Sequence, residues 1–209
     1  VDIVVTDHHT IDGDLPAVAA VVNPKRDSPD CEFADLSGAA GALKLVSALT
    51  GGLADTGLAA LGLVADIVPL TRENRVLVAL GIEELSKRPS LGLEALARKA
   101  GVQMEQIRAE SIAFQLSPRL NAAGRIADGK ASLRLLLTES PDEADALANE
   151  LDAANEERRR IERLIYEDAE GELNRVFDPE QRSIVIAKKG WHPGVIGIVA
   201  ARLQSSYYR

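Results

Sequence analysis

The stretch VDIVVTDHH, residues 1–9, runs a strand-forming segment directly into one carboxylate and two imidazoles. Val1 to Thr6 is an almost continuous β-branched run, the pattern of a strand buried on both faces of a parallel sheet. In open parallel sheets, ligand-binding groups gather where strands finish, because side chains there face a crevice instead of core. Asp7, His8 and His9 sit at such an edge. Adjacent residues leaving a strand point in different directions, so one imidazole is enough for a metal while its neighbour faces something else. The bland alternative is two histidines decorating a surface turn, and the string by itself does not decide between them.

Support comes from Asp66, which lies inside LGLVADIVPL (residues 61–70), where every other residue is apolar, glycine or proline. An isolated ionised carboxylate buried there costs several kcal/mol unless it meets a cation. A capping or salt-bridge role close to Pro69 is the competing reading. His8 and Asp66 together make a mixed nitrogen and oxygen donor set, which suits manganese or magnesium more than a thiolate-bound metal.

The chain has 209 residues, 46% of them hydrophobic, enough for a good-sized core and for one domain plus part of another. No apolar run approaches the roughly 20 residues that cross a bilayer, and the first residues lack the pattern of a signal peptide, so the expected location is the cytoplasm, with no membrane partner. The single cysteine, Cys31, excludes an internal disulfide and any multi-cysteine zinc site. The net charge of −8 argues at first against nucleic acid. Its distribution reverses that: residues 140–177 hold 12 acidic and 5 basic residues, which accounts for all but one unit of the charge. The rest is near neutral with arginine-rich spots.

Along the chain, a second short strand is expected around Val18–Asn23. Ser37 is a plausible N-cap for a helix over GAAGALKLVSAL (38–49). TGLAALGLVADIV (56–68) is apolar on every face, as a helix in the centre of a domain is, and Thr71 caps the next helix over 72–88. Short helices follow across Leu91–Ala113. The proline, glycines and polar residues of AFQLSPRLNAAGRIADGK (113–130) suggest an ordered loop, followed by a helix around Ala131–Leu137. Residues 140–177 read as one long helix, with Pro141 at its first position and acids in its first turn, ended by Asp178 and Pro179. RSIVIAKKG (182–190) reads as a strand and turn, and PGVIGIVAARL (193–203) as a helix starting at Pro193. The mid-strand start without methionine and the short final helix suggest a fragment of a longer protein.

VVTDHH (4–9), GLVADIVPLTRENR (62–75), SPRLNAAGR (117–125) and GWHPGVIGIVAARL (190–203) together resemble the DHH phosphoesterase superfamily and, within it, the RecJ-type single-stranded-DNA exonucleases. The resemblance implies an α/β architecture: a partial DHH catalytic domain over 1–139, with a parallel-sheet remnant and helices, an interdomain connecting helix over 140–177, and the beginning of a DHHA1 substrate-binding domain over 178–209. It implies two metal ions, manganese with magnesium as the alternative. Of their ligands His8 and Asp66 are present here, and the earlier aspartates are expected upstream of Val1. A chain lacking them is expected to be inactive by itself.

The implied reaction is 5′ to 3′ hydrolysis of phosphodiester bonds in single-stranded DNA during repair and recombination. The expected catalytic residues are His9, which hydrogen-bonds a phosphate oxygen, and Asp7, which orients a histidine. The expected substrate-binding residues are Arg119, Asn121, Arg125 and His192. Two guanidiniums on a small-residue segment suit bidentate phosphate contacts, and the amides at the start of the helix after GWHPG suit an anion. Trp191 is expected to pack more than to stack a base. A single-strand-binding protein and a helicase are further expected partners. Two alternatives stay open: an oligoribonuclease or cyclic-dinucleotide phosphodiesterase, which usually carries Gly-Gly-His where this chain has Gly190-Trp191-His192, and a non-catalytic DHH-derived scaffold.

Overall fold

A computed structural model describes residues 1–26, 31, 33–126, 128–176 and 182–207. It is a mixed α/β structure, mainly helical with one small parallel sheet, and it divides into two compact units, Val1–Ser117 and Pro118–Arg209. This division differs from the boundary expected at 139/140. The helix over 130–137 packs on the long helix that follows it and so joins the second unit. The expected helix stop at Asp178 and Pro179 lies outside the described residues.

In the first unit, β1 (Val4–Thr6) and β2 (Ala20–Val22) pair in parallel, with Val4 opposite Ala20 and Thr6 opposite Val22. Bonds from Ala19 N–H to the Ile3 carbonyl (2.9 Å) and from Asp7 N–H to the Val22 carbonyl (3.0 Å) extend the ladder at both ends. The expectation that this strand is buried on both faces is corrected: Val4 is 56% and Val22 53% exposed. A two-stranded ribbon covers little of its own surface, and the β-branched run reports strand propensity, not what covers it.

Helix α1 (Gly38–Thr50) starts where expected, with Ser37 Oγ accepting the Ala40 N–H at 3.3 Å. Helix α2 (Thr56–Ala65) forms the buried centre of this unit, with Ala59, Ala60, Leu61, Leu63 and Val64 all inside. Each large aliphatic side chain so buried contributes roughly 1.5–3 kcal/mol. Helix α3 (Arg72–Lys87) lies along α2 so closely that a Cβ on Gly81 would overlap the Thr56 carbonyl and the Ala60 methyl. Asn74, buried on α3, donates to the carbonyls of Asp35 and Pro69, both at 3.1 Å, and ties the loops at either side to the helix pair. Helix α4 (Leu91–Ala100) follows, capped by Ser90.

The segment 113–130, expected as a loop, is largely helical. Helix α5 (Ala109–Ser111) continues through a wide π turn (Ile112–Leu116) into α6 (Ser117–Ile126). In that turn Ser117 N–H bonds the carbonyl of Ile112, five residues back. Pro118 has no N–H to offer the carbonyl four residues before it, and a local π turn is the form in which a helix accommodates such a gap. The small residues are there for packing: Ala122 and Ala123 are buried.

In the second unit α7 (Lys130–Leu137) packs on α8 (Pro141–Val176), which in turn carries α9 (Pro193–Tyr207). A core of Ile165, Ala169 and Leu173 from α8 meets Val195, Val199 and Leu203 from α9. The expected strand over 182–190 is corrected. Among the described residues it has no ladder partner, so it is extended chain and not sheet. Its alternation is nonetheless that of a strand: Ile184 and Ile186 pack on the core while Val185 is 88% exposed. Among the described residues no helix is long and apolar enough to cross a membrane.

Candidate active site

The end of β1 gathers Asp7, His8 and His9, whose ligand-type atoms lie within 4.8 Å of one another, the one such set of three among the described residues. The Asp7 carboxylate organises them. One of its oxygens accepts the backbone N–H of His8 at 2.8 Å and of His9 at 3.3 Å, and meets Nδ1 of His9 at 2.7 Å. An ionised carboxylate only accepts, so His9 Nδ1 carries the proton and Nε2 is left for other chemistry. Asn23 Nδ2 donates to the His9 carbonyl at 2.9 Å and fixes the turn to the end of β2.

The His8 ring lies beside that of His9, the ring centroids 4.4 Å apart and the planes tilted by 38°. An ideal Cβ on Gly38 would sit 3.3 Å from His8 Cδ2 and 3.4 Å from Nε2, so the imidazole lies against the first turn of α1. A cavity of about 300 Å³ opens beside it, lined by Asp7, His8, Ser37, Gly38 and Lys44 among others. Lys44 pairs with Glu73 and lies 5.1 Å from the centroid of the Phe33 ring. Sequence reasoning missed Lys44; its one signal was an isolated cation on an otherwise uncharged helix.

The His9 ring, then the two backbone amides, hold the Asp7 carboxyl down at about 2. Its carboxyl carbon resonance is therefore expected to titrate near 2 in a carbon-13 pH series. A folded-state pKa lowered in this way gives stability above the unfolded value of about 3.9, which is lost as pH falls from there towards 2. His9→Ala should return the midpoint towards the ordinary range; a midpoint near 4 with His9 intact would remove the pairing.

Asp66 is where the sequence argument needs correction. It is exposed, at the C-cap of α2, and not buried among aliphatic neighbours. The apolar run crosses a helix end: Asp66 N–H closes the last turn on Gly62, and Ile67 then takes φ 55° and stands 89% exposed. A β-branched residue in that region is strained by about 1–3 kcal/mol. Of the competing reading, a capping or salt-bridge role, the structure has the position: Asp66 is the C-cap residue of α2, and its carboxylate has no ion pair among the described residues. A negative charge at the negative end of a helix dipole is unfavourable unless a cation is supplied. Asp66 is not part of the Asp7, His8, His9 set.

In the second unit the structure brings SPRLNAAGR and GWHPG together. Arg125, in the last turn of α6, sends Nη1 towards the Gly194 carbonyl at 3.4 Å. Gly194 N–H donates to His192 Nδ1 at 3.1 Å. A Cβ on Gly194 would overlap the Arg125 carbonyl oxygen, so only glycine permits this approach. With Nδ1 accepting, neutral His192 carries its proton on Nε2. Arg125 and Asn121 are exposed. Arg119 is not: it is 9% exposed and donates Nε to Asp152 of α8 at 2.9 Å. Trp191 packs on the α8–α9 core and donates Nε1 to Asp168 at 2.8 Å, in line with its expected packing role.

No protein-family model matches the chain. It is 41% identical over 210 residues to the single-stranded-DNA-specific exonuclease RecJ of Bacillus subtilis, covering 100% of this chain and 27% of that protein. To RecJ of Escherichia coli it is 36% identical over 234 residues, covering 100% and 40%. Among solved structures, RecJ of Thermus thermophilus in complex with Mn2+ matches with a TM-score of 0.87 at 37% identity, covering 100% of this chain and 32% of that one. Exonuclease RecJ bound to manganese matches with a TM-score of 0.82 at 37% identity, covering 100% and 53%. The chain thus spans 27% and 40% of the length of these two curated relatives.

Proposed function

The chain belongs to the RecJ branch of the DHH phosphoesterase superfamily, and from that premise we propose that its protein hydrolyses single-stranded DNA from the 5′ end with divalent metal, preferably manganese. The observation that carries this reading is the Asp7, His8 and His9 cluster at the end of a parallel strand pair. Within it His8 offers an imidazole nitrogen, a donor that suits such an ion, while Asp7 and His9 are engaged with each other beside it. His8 and Asp66 would each hold a metal ion. Bound as a pair, divalent ions supply an activated water and neutralise charge building on the phosphate.

The chain's own residues do the rest. Asp7 fixes His9 through Nδ1, and His9 Nε2 takes or gives a proton beside a phosphate oxygen. His192 offers Nε2–H to a phosphate, Arg125 offers its exposed guanidinium, and Asn121 an amide. Arg119, held by Asp152, acts through the position of α6 more than by direct contact. Residues 1–139, 140–177 and 178–209 would correspond to the DHH domain, connector and DHHA1 start of relatives. A single-strand-binding protein and a helicase are the proposed partners, in the cytoplasm. The two alternative readings, a phosphodiesterase of very short substrates and a non-catalytic scaffold, have no relative here to favour them.

The test uses the full-length protein with Mn2+ on 5′-phosphorylated single strands, duplexes and dinucleotides. Preference for the long single strand is expected, and equal turnover of dinucleotides would overturn the substrate assignment. Arg125→Ala should weaken binding and flatten the dependence of log affinity on log salt by about 0.7, the share of one phosphate contact on a single strand. An unchanged slope would take Arg125 out of the interface.

A further inference from the structure

We propose that Asp168 is a positioning residue that clamps the GWHPG turn to α8 and so fixes the direction in which His192 presents Nε2–H. Asp168 sits about three-quarters of the way along α8, with one carboxylate oxygen receiving Trp191 Nε1–H at 2.8 Å and the other paired with Lys188. Lys188 is held a second time by Glu172, one turn further on, at 3.5 Å. One carboxylate thereby fastens the chain at both ends of the turn: Lys188 before Gly190, and Trp191 immediately before His192.

Gly190 has φ 95°. The chain can reverse there, and its direction afterwards is set by whatever holds Trp191. Downstream, Gly194 touches the Arg125 carbonyl and donates to His192 Nδ1. His192 is therefore held between two anchors, α8 through Trp191 and α6 through Gly194. A side chain with one anchor removed can swing about the other. The Lys188 ammonium, then the indole N–H, also keep the Asp168 carboxyl below the ordinary aspartate range, so it stays an acceptor at neutral pH. Sequence reasoning could not find Asp168, because it is one of 12 acids on residues 140–177 and its partner is 23 residues away.

The kinetic consequence rests on the proposed phosphate role of His192; the clamp itself does not. Long-range proton–nitrogen correlation spectra of the imidazole in this chain should show one neutral tautomer, protonated at Nε2. Asp168→Ala should give averaged ring nitrogens. Trp191→Phe, which keeps a ring in the core but no N–H, should do the same. Asp168→Asn, which retains an oxygen for the indole, should keep the original pattern. An unaltered pattern in both Asp168→Ala and Trp191→Phe overturns the clamp. In the full-length protein, on 5′-phosphorylated oligo-dT with Mn2+, Asp168→Ala should lower kcat/KM about tenfold, and by less than about twofold when His192 is already alanine, the non-additivity of coupled neighbours. Independent losses would show that Asp168 does not act through His192. If His192→Ala alone leaves kcat/KM unchanged, the phosphate role of His192 falls, and the spectra decide the clamp separately.

Discussion

His8→Ala in the full-length protein is expected to remove metal-dependent hydrolysis by more than the roughly 10–100-fold that loss of an outer-shell partner costs. The His8 ring lies against α1 at Gly38, beside a 300 Å³ cavity, while its neighbour His9 is already engaged with Asp7. His9 is tethered to Asp7 through Nδ1. Asp66→Asn should fall in the same direction, since it removes charge while keeping shape at the exposed end of α2. Activity should be followed across a manganese titration. A deficit that excess metal restores identifies a ligand; full activity of His8→Ala at limiting manganese would remove it from the metal set. His9→Ala should instead lower turnover with the metal dependence unchanged.

Gly81→Ala is expected to destabilise the first unit by about 2–3 kcal/mol, although alanine is the better helix former by about 1 kcal/mol. The added methyl would overlap both the Thr56 carbonyl and the Ala60 methyl, and both belong to α2, the buried centre of that unit. Neither is the free end of a flexible side chain, so the helices must separate. A methyl on Gly171 of α8 meets nothing within 4 Å, and the same substitution there should stabilise by the helix-propensity difference of up to about 1 kcal/mol. Opposite signs in urea unfolding at the two sites are the expected result. If Gly81→Ala proves neutral, the close approach of α2 and α3 is not rigid.

The elements most legible in the sequence are those governed by neighbours along the chain. Ser37 caps α1, Pro141 opens the long helix α8, and the strand run ends on Asp7, His8 and His9 as read. Other readings missed for physical reasons, two of them at the candidate site. SPRLNAAGR carries turn-forming residues, yet a π turn lets the helix run on through Pro118, and its alanines are packing residues. Asp66 stands in an apolar run, but such a run is the same string whether a helix continues through it or stops within it. Here α2 stops at Ala65, and the carboxylate emerges into solvent.

By itself the sequence determined the positions of caps and strand ends, the helical period of α8 and the residue types offered at each motif, because these follow from contacts within one or two turns. Only the tertiary structure decided that Arg119 is tied to Asp152, that Arg125 reaches Gly194 and that Trp191 is pinned by Asp168. Those partners are 33, 69 and 23 residues apart. A carboxylate or guanidinium is drawn to whichever opposite charge or carbonyl the packing of α6, α8 and α9 brings within about 3 Å, and nothing local to either residue specifies that choice.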